Sequence, residues 1–76
     1  MPISKSQHAK LIQLGAKVKS TRNNKNLTLK ELGHLIDKEP QSISRIEMGD
    51  INPSYLYLLK LCKGLKIKLA DIAPES

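Results

Sequence analysis

The sequence predicts an all-α domain, and three features of the chain support this fold class. Aliphatic residues recur at steps of three and four positions, as they do on the buried face of a helix. The only aromatic residues are two tyrosines, so the core must be aliphatic, which suits a helical domain. Helix start and stop signals stand at the ends of two short amphipathic segments in the middle of the chain. The 76 residues are enough for one small domain with a thin core.

The first helix is predicted over residues 6–23, after a flexible arm formed by residues 1–5. Steps of three and four residues define its inward stripe, which consists of Leu11, Leu14, Val18 and Arg22. Residues 23–26 are mostly asparagine and predict a turn. The chain therefore opens with one long helix that presents a single buried face.

Two shorter helices are expected at about residues 28–36 and 40–48. Thr28 can cap the first of them, and Glu31 three residues later completes a capping box. Gly33 lies where the two helices would cross, and its lack of a side chain allows them to approach closely. These features predict two helices in tight contact.

The second of these helices has its own boundary signals. The fixed backbone of Pro40 suits the first helical position, and Gly49 is the usual residue just past a helix end. Asp37 occupies the turn between the helices, where a left-handed backbone is often needed and Asp tolerates it better than most residues. This is the pattern of a helix-turn-helix, in which the second helix enters the DNA major groove.

A fourth helix is predicted from about residue 54 to 63, and a short fifth helix over residues 67–72. Residues 74–76 are read as a tail. The apolar residues expected on the inward face of the fourth helix are Tyr55, Leu58, Leu59, Cys62 and Leu65. The pattern shows no internal repeat and no second domain.

Several of these residues resemble the Cro and lambda-repressor family, also called the XRE family, from about residue 22 to residue 72. The pieces that carry the resemblance are Leu27-Thr28 with Glu31-Leu32, Ile43-Ser44-Arg45-Ile46-Glu47 with Gly49, and Asn52-Pro53-Ser54. The resemblance implies a five-helix lambda-repressor-like DNA-binding domain over residues 6–73. Its recognition helix would run from about residue 40 to residue 48.

The charge of the chain points to a polyanionic partner. The net charge is +6, and the first acidic residue is Glu31, after seven lysines and arginines. Such a basic domain suits nucleic acid or an anionic membrane surface, and a lysine-rich solvated surface is the plain alternative. Beside a helix-turn-helix, double-stranded DNA is the better explanation.

The recognition helix carries residue types that can read base edges. Gln41 can form two hydrogen bonds with adenine, and Arg45 can do the same with guanine. Ser44 lies on the same side of the helix, and Pro40 could touch thymine methyl groups or phosphates. We therefore expect Pro40, Gln41, Ser44 and Arg45 to contact bases. The alternative is an ordinary exposed helix face.

Phosphate contacts are expected from the flanks of that helix and from the amino end of the second helix, with its free N–H groups. The residues expected to contact phosphate are Arg22, Thr28, Lys30, Lys38, Ser42, Gly49 and Asn52. For each lysine, solvated surface is the alternative.

The resemblance also implies a structural ion pair between Arg22 and Glu47, which would lock the first helix onto the recognition helix. Other residues depart from the family pattern. Leu29 replaces a frequent Gln that bonds phosphate, and Glu39 replaces the usual Ser or Thr cap and would repel phosphate. Lys38 replaces an aliphatic residue. These departures concern the target of binding rather than the fold.

An apolar strip on the fourth helix predicts a protein partner. Leu56, Tyr57 and Leu61 lie away from the expected core face, so they would suit a second copy of the chain or a toxin protein. The alternative is that some of them complete the core. A homodimer would bind an inverted-repeat operator.

The sequence gives less support for a metal-binding protein, an enzyme or a membrane protein. His8 and His34 have no cluster of metal-ligand partners, and no metal or cofactor is expected. No nucleophile and base stand in a catalytic arrangement, so an enzyme is not expected. Cys62 reads as a core residue, and no segment is long or apolar enough to span a membrane. We therefore expect a cytoplasmic transcriptional regulator, a repressor, with an antitoxin and a factor contacting the transcription machinery as alternatives.

Overall fold

The computed structural model describes residues 5–73, which form four α-helices and one 3-10 turn, with no strand in that range. The helices are α1 (Lys5–Asn24), α2 (Leu29–Ile36), α3 (Pro40–Glu47) and α4 (Tyr55–Leu65), and the 3-10 turn is Leu69–Asp71. The all-α class is confirmed, whereas the expected fifth helix is only this 3-10 turn. Lys5, assigned to the arm, begins α1; the rest of the predicted arm and the tail lie outside the described residues.

Helix α1 forms one side of the domain. Its predicted stripe of Leu11, Leu14, Val18 and Arg22 is buried, as is Gly15. A β-carbon on Gly15 would collide with the backbone carbonyl oxygens of Ile46 and Glu47 at the end of α3. The missing side chain therefore lets α1 pack directly against the backbone of α3.

The predicted capping box of α2 is present. The Glu31 amide donates to Thr28 Oγ1 at 3.0 Å, and the Thr28 amide donates to the Glu31 carboxylate at 2.9 Å. Asp37 ends the helix in the left-handed conformation, with φ of 57°. Each contact satisfies a backbone group that a helix end leaves without a partner.

The turn brings α3 close to α2 at Gly33. A β-carbon there would lie 2.5 Å from the Lys38 carbonyl oxygen. Helix α3 begins at Pro40 and is followed by Gly49, whose φ of +78° is a conformation that favours glycine. The two helices and their turn confirm the helix-turn-helix expected from the sequence.

The buried face of α4 differs from the prediction. Leu61 is completely buried, whereas it was expected on a surface strip, and Tyr55 is 63% exposed, whereas it was expected in the core. Leu59, also expected in the core, is 39% exposed. The helix carries apolar residues on several sides, so its spacing alone does not select the inward face. On α2, Leu32 and Ile36 are buried, whereas Leu35 is 58% exposed.

The segment after α4 is short but anchored. Lys66 ends α4 in the left-handed conformation, and the Lys68 amide donates to the Asp71 carboxylate at 2.9 Å. Ile72 then inserts into the core, where it is fully buried. The 3-10 turn and Ile72 thus pack the end of the described chain against the core.

The core is aliphatic, as expected from the scarcity of aromatic residues. Its buried hydrophobic members are Leu11, Leu14, Val18, Leu32, Ile36, Ile43, Ile46, Leu61, Cys62, Leu65 and Ile72. Every helix and the segment after α4 contribute to it, so the position of α3 depends on all of them.

Candidate nucleic-acid interface

The exposed face of α3 carries two of the four residues predicted to contact bases. Ile43 and Ile46 point into the core, and this fixes the rotation of the helix. Gln41 and Arg45 are exposed, one turn apart on the other side. Ser44 is partly buried beside them. An amide and a guanidinium are therefore held on one accessible face of a short, anchored helix.

A cleft beside the amino end of α3 brings together several residues predicted to touch DNA. Lys30, Lys38, Pro40 and Ser42 all line it. Tyr57 of α4 forms part of the same lining. Two lysines therefore stand at the same cleft as the first turn of α3, although Lys30 and Pro40 lie on different helices.

Tyr57 connects α4 to the first turn of α3. Its hydroxyl lies 2.5 Å from Ser42 Oγ, and Ser42 Oγ also donates to the Glu39 carbonyl oxygen at 2.9 Å. The Lys38 ammonium nitrogen lies 4.9 Å from the centre of the Tyr57 ring, within the range of a cation–π contact. Ser42 and Lys38, both predicted to contact phosphate, thus already have partners inside the domain.

Arg22 and Glu47 join α1 to the end of α3. Arg22 Nε donates to Glu47 Oε2 at 2.7 Å, and Nη2 donates to Glu47 Oε1 at 3.1 Å. Nη1 donates to the Leu27 carbonyl oxygen at 2.7 Å. Arg22 is only 8% exposed, and the hydrogen bond with Glu47 holds its pKa above the ordinary arginine value. The guanidinium therefore remains charged and fixed between the two helices.

The amino end of α2 is held by its cap. Thr28 is exposed, but its Oγ1 accepts the Glu31 amide. The Thr28 backbone amide donates to the Glu31 carboxylate and lowers the pKa of that carboxyl below its ordinary value, and the Thr28 side chain lowers it further. Leu29, where the family often has Gln, packs partly buried against the core. Glu39 makes no side-chain capping bond to α3.

The loop after α3 contains two residues that were predicted to contact phosphate, one exposed and one buried. Asn52 is exposed, whereas Gly49 is buried. A β-carbon on Gly49 would lie 2.8 Å from Ile12 Cγ1 of α1. Gly49 therefore serves the packing of the loop against α1 through its small size and positive φ.

The predicted apolar strip on α4 does not form one surface. Leu56 is 70% exposed, Tyr57 is partly buried with its hydroxyl at Ser42, and Leu61 is in the core. Inclusion of Leu61 in the strip was wrong, because the buried face of α4 runs through that residue. The large apolar side chains that α4 leaves exposed are Tyr55, Leu56 and Leu59.

Residues 5–73 do not bring together side chains that could bind a metal ion. They contain no group of three or more His, Cys, Asp and Glu side chains that could hold a metal ion. Cys62 is buried in the core, and burial, with a smaller effect from Asp71, raises the pKa of its thiol. Within the same range, no helix is both long enough and apolar enough to cross a membrane.

The roles of two residues, Tyr57 and Gly15, were not predicted from the sequence. Tyr57 was assigned to a partner surface, although its hydroxyl faces α3, and nothing local links it to Ser42, fifteen positions away. Gly15 lies within a helix, and its role depends on the α3 backbone that packs against it. A glycine in the interior of an otherwise regular helix was the available signal, since glycine there usually costs stability.

Comparison with protein families gives one match that covers most of the chain. A family model described as helix-turn-helix, HTH_3, matches residues 18–72. A relative from Bacillus subtilis (strain 168), named as the uncharacterized HTH-type transcriptional regulator YgzD, is 36% identical over 56 residues. That match covers 74% of this chain and 85% of the relative.

Solved structures show the same fold. The restriction-modification controller protein C.AhdI from Aeromonas hydrophila superposes with a TM-score of 0.82 at 26% identity, over 84% of this chain and 97% of that one. The clp gene regulator ClgR from Corynebacterium glutamicum superposes with a TM-score of 0.78 at 32% identity, over 82% of this chain and 80% of that one. The chain therefore belongs to the helix-turn-helix family of the Cro and lambda-repressor (XRE) type, a family of DNA-binding transcriptional regulators.

Proposed function

We propose that this protein regulates transcription by binding a specific sequence of duplex DNA, with α3 in the major groove. The observation that carries the proposal is the exposed pair of Gln41 and Arg45 on α3, beside the cleft that contains Lys30 and Lys38. Base edges give specificity and phosphates give position, and these two groups of residues supply both kinds of contact.

Each residue has a distinct role in this proposal. Gln41 reads adenine and Arg45 reads guanine through paired hydrogen bonds, with Ser44 and Pro40 contacting neighbouring base edges. Lys30, Lys38 and Asn52 approach phosphates. The free amides at the amino end of α2, next to Thr28, do the same.

Three of the predicted phosphate contacts take a modified role in the proposal. Arg22 acts indirectly, because its guanidinium is held by Glu47 and Leu27 and so fixes the position of α3. Ser42 holds the first turn of α3, because its hydroxyl already has two partners. Gly49 shapes the loop after α3 rather than contacting phosphate, because it has no side chain and its backbone amide already donates to the Ile46 carbonyl oxygen at 3.0 Å.

The proposed working unit is a two-fold symmetric dimer. One α3 of eight residues reaches only a few base pairs, whereas two copies about 34 Å apart would read successive turns of one face of the duplex. The exposed Leu56 and Leu59 of α4 are the proposed contact between copies. Such a dimer on an inverted-repeat operator would block transcription as a repressor, in the cytoplasm where the DNA lies.

Selection of bound duplexes from a random-sequence pool tests the proposal. The expected result is an enriched inverted repeat with half-sites about 10 base pairs apart. With three or four phosphates neutralised per subunit, the slope of log affinity against log salt should be roughly −5 to −8. A pool that stays random after several rounds, together with a slope near zero, would contradict the proposal.

A further inference from the structure

Tyr57 lies at a position where it controls two residues of the proposed interface at once. Its hydroxyl is 2.5 Å from Ser42 Oγ in the first turn of α3, and its ring lies 4.9 Å below the Lys38 ammonium nitrogen. Tyr57 itself belongs to α4, which contributes no predicted base contact. The tyrosine therefore couples the core side of the domain to the residues that face DNA.

The direction of the hydroxyl contact follows from the number of hydrogens available. The Ser42 hydroxyl has one hydrogen, and it is donated to the Glu39 carbonyl oxygen. Ser42 Oγ can then only accept from Tyr57, so the tyrosine hydroxyl is the donor. Both bonds are satisfied at once in this arrangement, and the Tyr57 oxygen keeps only acceptor capacity toward solvent.

This bond matters because the first turn of α3 has no other side-chain cap. Glu39, at the N-cap position, makes no capping bond, whereas Ser, Thr, Asp or Asn there would hold the turn. The Glu39 carbonyl oxygen instead accepts from the Ser42 amide at 3.1 Å and from the Ser42 hydroxyl. The Tyr57 hydroxyl donates to Ser42 Oγ and thereby holds the Ser42 side chain in place. This bond stabilises the turn from which Gln41 projects.

The ring of Tyr57 has a separate effect on charge. Lys38 follows the turn residue Asp37 and lines the cleft beside Lys30. An ammonium group over an aromatic face is attracted to it by the ring quadrupole. The long Lys38 side chain is thereby kept at the cleft, where a phosphate of the proposed DNA target would lie, rather than spread through solvent.

We propose that Tyr57 is a positioning residue for DNA recognition, whose hydroxyl orients the first turn of α3 and whose ring holds Lys38 for a phosphate. This inference rests on the proposed function. It predicts a division of effects: loss of the hydroxyl should damage the reading of the base pair assigned to Gln41, while the ring alone should preserve contact with the DNA backbone.

The test compares Tyr57→Phe with Tyr55→Phe on the full chain. Both variants lose one tyrosine hydroxyl on α4, but the Tyr55 side chain is 63% exposed and outside the cleft. Dissociation constants are measured on the selected duplex, on a random duplex, and on duplexes changed at the base pair read by Gln41 or by Arg45. Gln41→Ala and Arg45→Ala assign those two base pairs beforehand.

Tyr57→Phe should bind the selected duplex about 3- to 10-fold more weakly, the loss expected for one hydrogen bond. Its affinity for random duplex should be unchanged, and discrimination should fall more at the Gln41 base pair than at the Arg45 base pair. Ser42→Ala removes the same bond from α3 and, in addition, the bond to the Glu39 carbonyl oxygen, so it should show this pattern with at least as large a loss, even if Tyr57→Phe folds poorly. The double variant should be no weaker than Ser42→Ala alone, because Ser42→Ala already removes the bond to Tyr57 together with the bond to the Glu39 carbonyl oxygen.

The outcomes separate the inference from the proposed function. If Tyr57→Phe and Ser42→Ala both match Tyr55→Phe on every duplex, the inference is overturned while DNA recognition stands. An equal loss on selected and random duplexes also overturns it, since a general weakening is not positioning. If the unaltered chain binds all duplexes alike, the proposed function fails and the inference fails with it.

Discussion

The ion pair of Arg22 and Glu47 is the residue-scale contact that joins α1 to α3. Both side chains are almost completely buried, and the carboxylate accepts two guanidinium hydrogen bonds. Removal of either partner would leave the other as a buried charge without compensation, which is far more costly than the pair is stabilising. The contact therefore acts mainly to specify how α3 sits on α1.

A double-mutant cycle measures this coupling. Arg22→Ala or Glu47→Ala should each lower the free energy of unfolding by about 3 kcal/mol, and the double variant should cost less than the sum. Urea unfolding followed by circular dichroism gives the three values. Lys19→Ala, an exposed change on the same helix, should shift stability by less than about 0.5 kcal/mol. Strictly additive losses would show that the two residues do not interact.

The capping box of α2 makes stability depend on pH. Thr28 lowers the pKa of the Glu31 carboxyl in the folded state, so the unfolded chain binds a proton more readily. The resulting stabilisation is present above the ordinary glutamate pKa of about 4.3 and is lost as pH falls from there through the lowered pKa. Between pH 6 and pH 2.5, the free energy of unfolding should decline less in Glu31→Gln than in the unaltered protein. An identical decline in both proteins would contradict this assignment.

Residues with local partners could be predicted from the sequence, and residues with distant partners could not. Thr28 and Glu31 are three positions apart, and the left-handed turn at Asp37 depends on its immediate neighbours. Tyr57 and Ser42 meet only because α4 packs beside α3. Arg22 and Glu47 are also far apart in sequence, and only the family resemblance implied their contact.

At the scale of the helices, orientation was harder to predict than position. The bounds of α2 and α3 follow from capping residues, Pro40 and Gly49, and they agree closely with the structure. The inward face of α4 was predicted only in part, because apolar side chains on several sides give no unique inward face. Cys62 and Leu65 are buried as expected, whereas packing buries Leu61 in place of Tyr55 and Leu59. The final helix shortened to a 3-10 turn, since Ile72 reaches the core within a few residues of Lys66.

The contact of α1 with α3 predicts an unusual response to alanine. In an exposed helix, replacing glycine by alanine stabilises by roughly 0.5–1 kcal/mol. Gly15→Ala should instead destabilise by about 1–3 kcal/mol, because the new methyl group meets the α3 backbone at Ile46 and Glu47. Thermal unfolding measures the change, and Ala16→Gly reports the ordinary helix preference at the next, exposed position. A more stable Gly15→Ala protein would show that the close packing is absent.

On the scale of the whole molecule, the proposed dimer depends on the exposed leucines of α4. Leu56→Gln should reduce cooperative binding to an inverted-repeat duplex without lowering stability, because Leu56 is 70% exposed. Leu35→Gln is the matched control, since Leu35 is similarly exposed but lies on α2. A neutral replacement leaves the charge near the phosphates unchanged. Sedimentation of each variant with duplex gives the stoichiometry, and one protein per duplex in the unaltered chain would rule out the dimer.

The central claim is that the exposed face of α3 reads base pairs, and equilibrium binding by three alanine variants tests it most directly. Gln41→Ala and Arg45→Ala should each cost about 1–3 kcal/mol on the selected duplex and relax the choice of one base pair. Lys30→Ala, at the cleft, should weaken selected and random duplexes by the same factor. If Gln41→Ala and Arg45→Ala also weaken both duplexes equally, α3 does not read the sequence through these side chains.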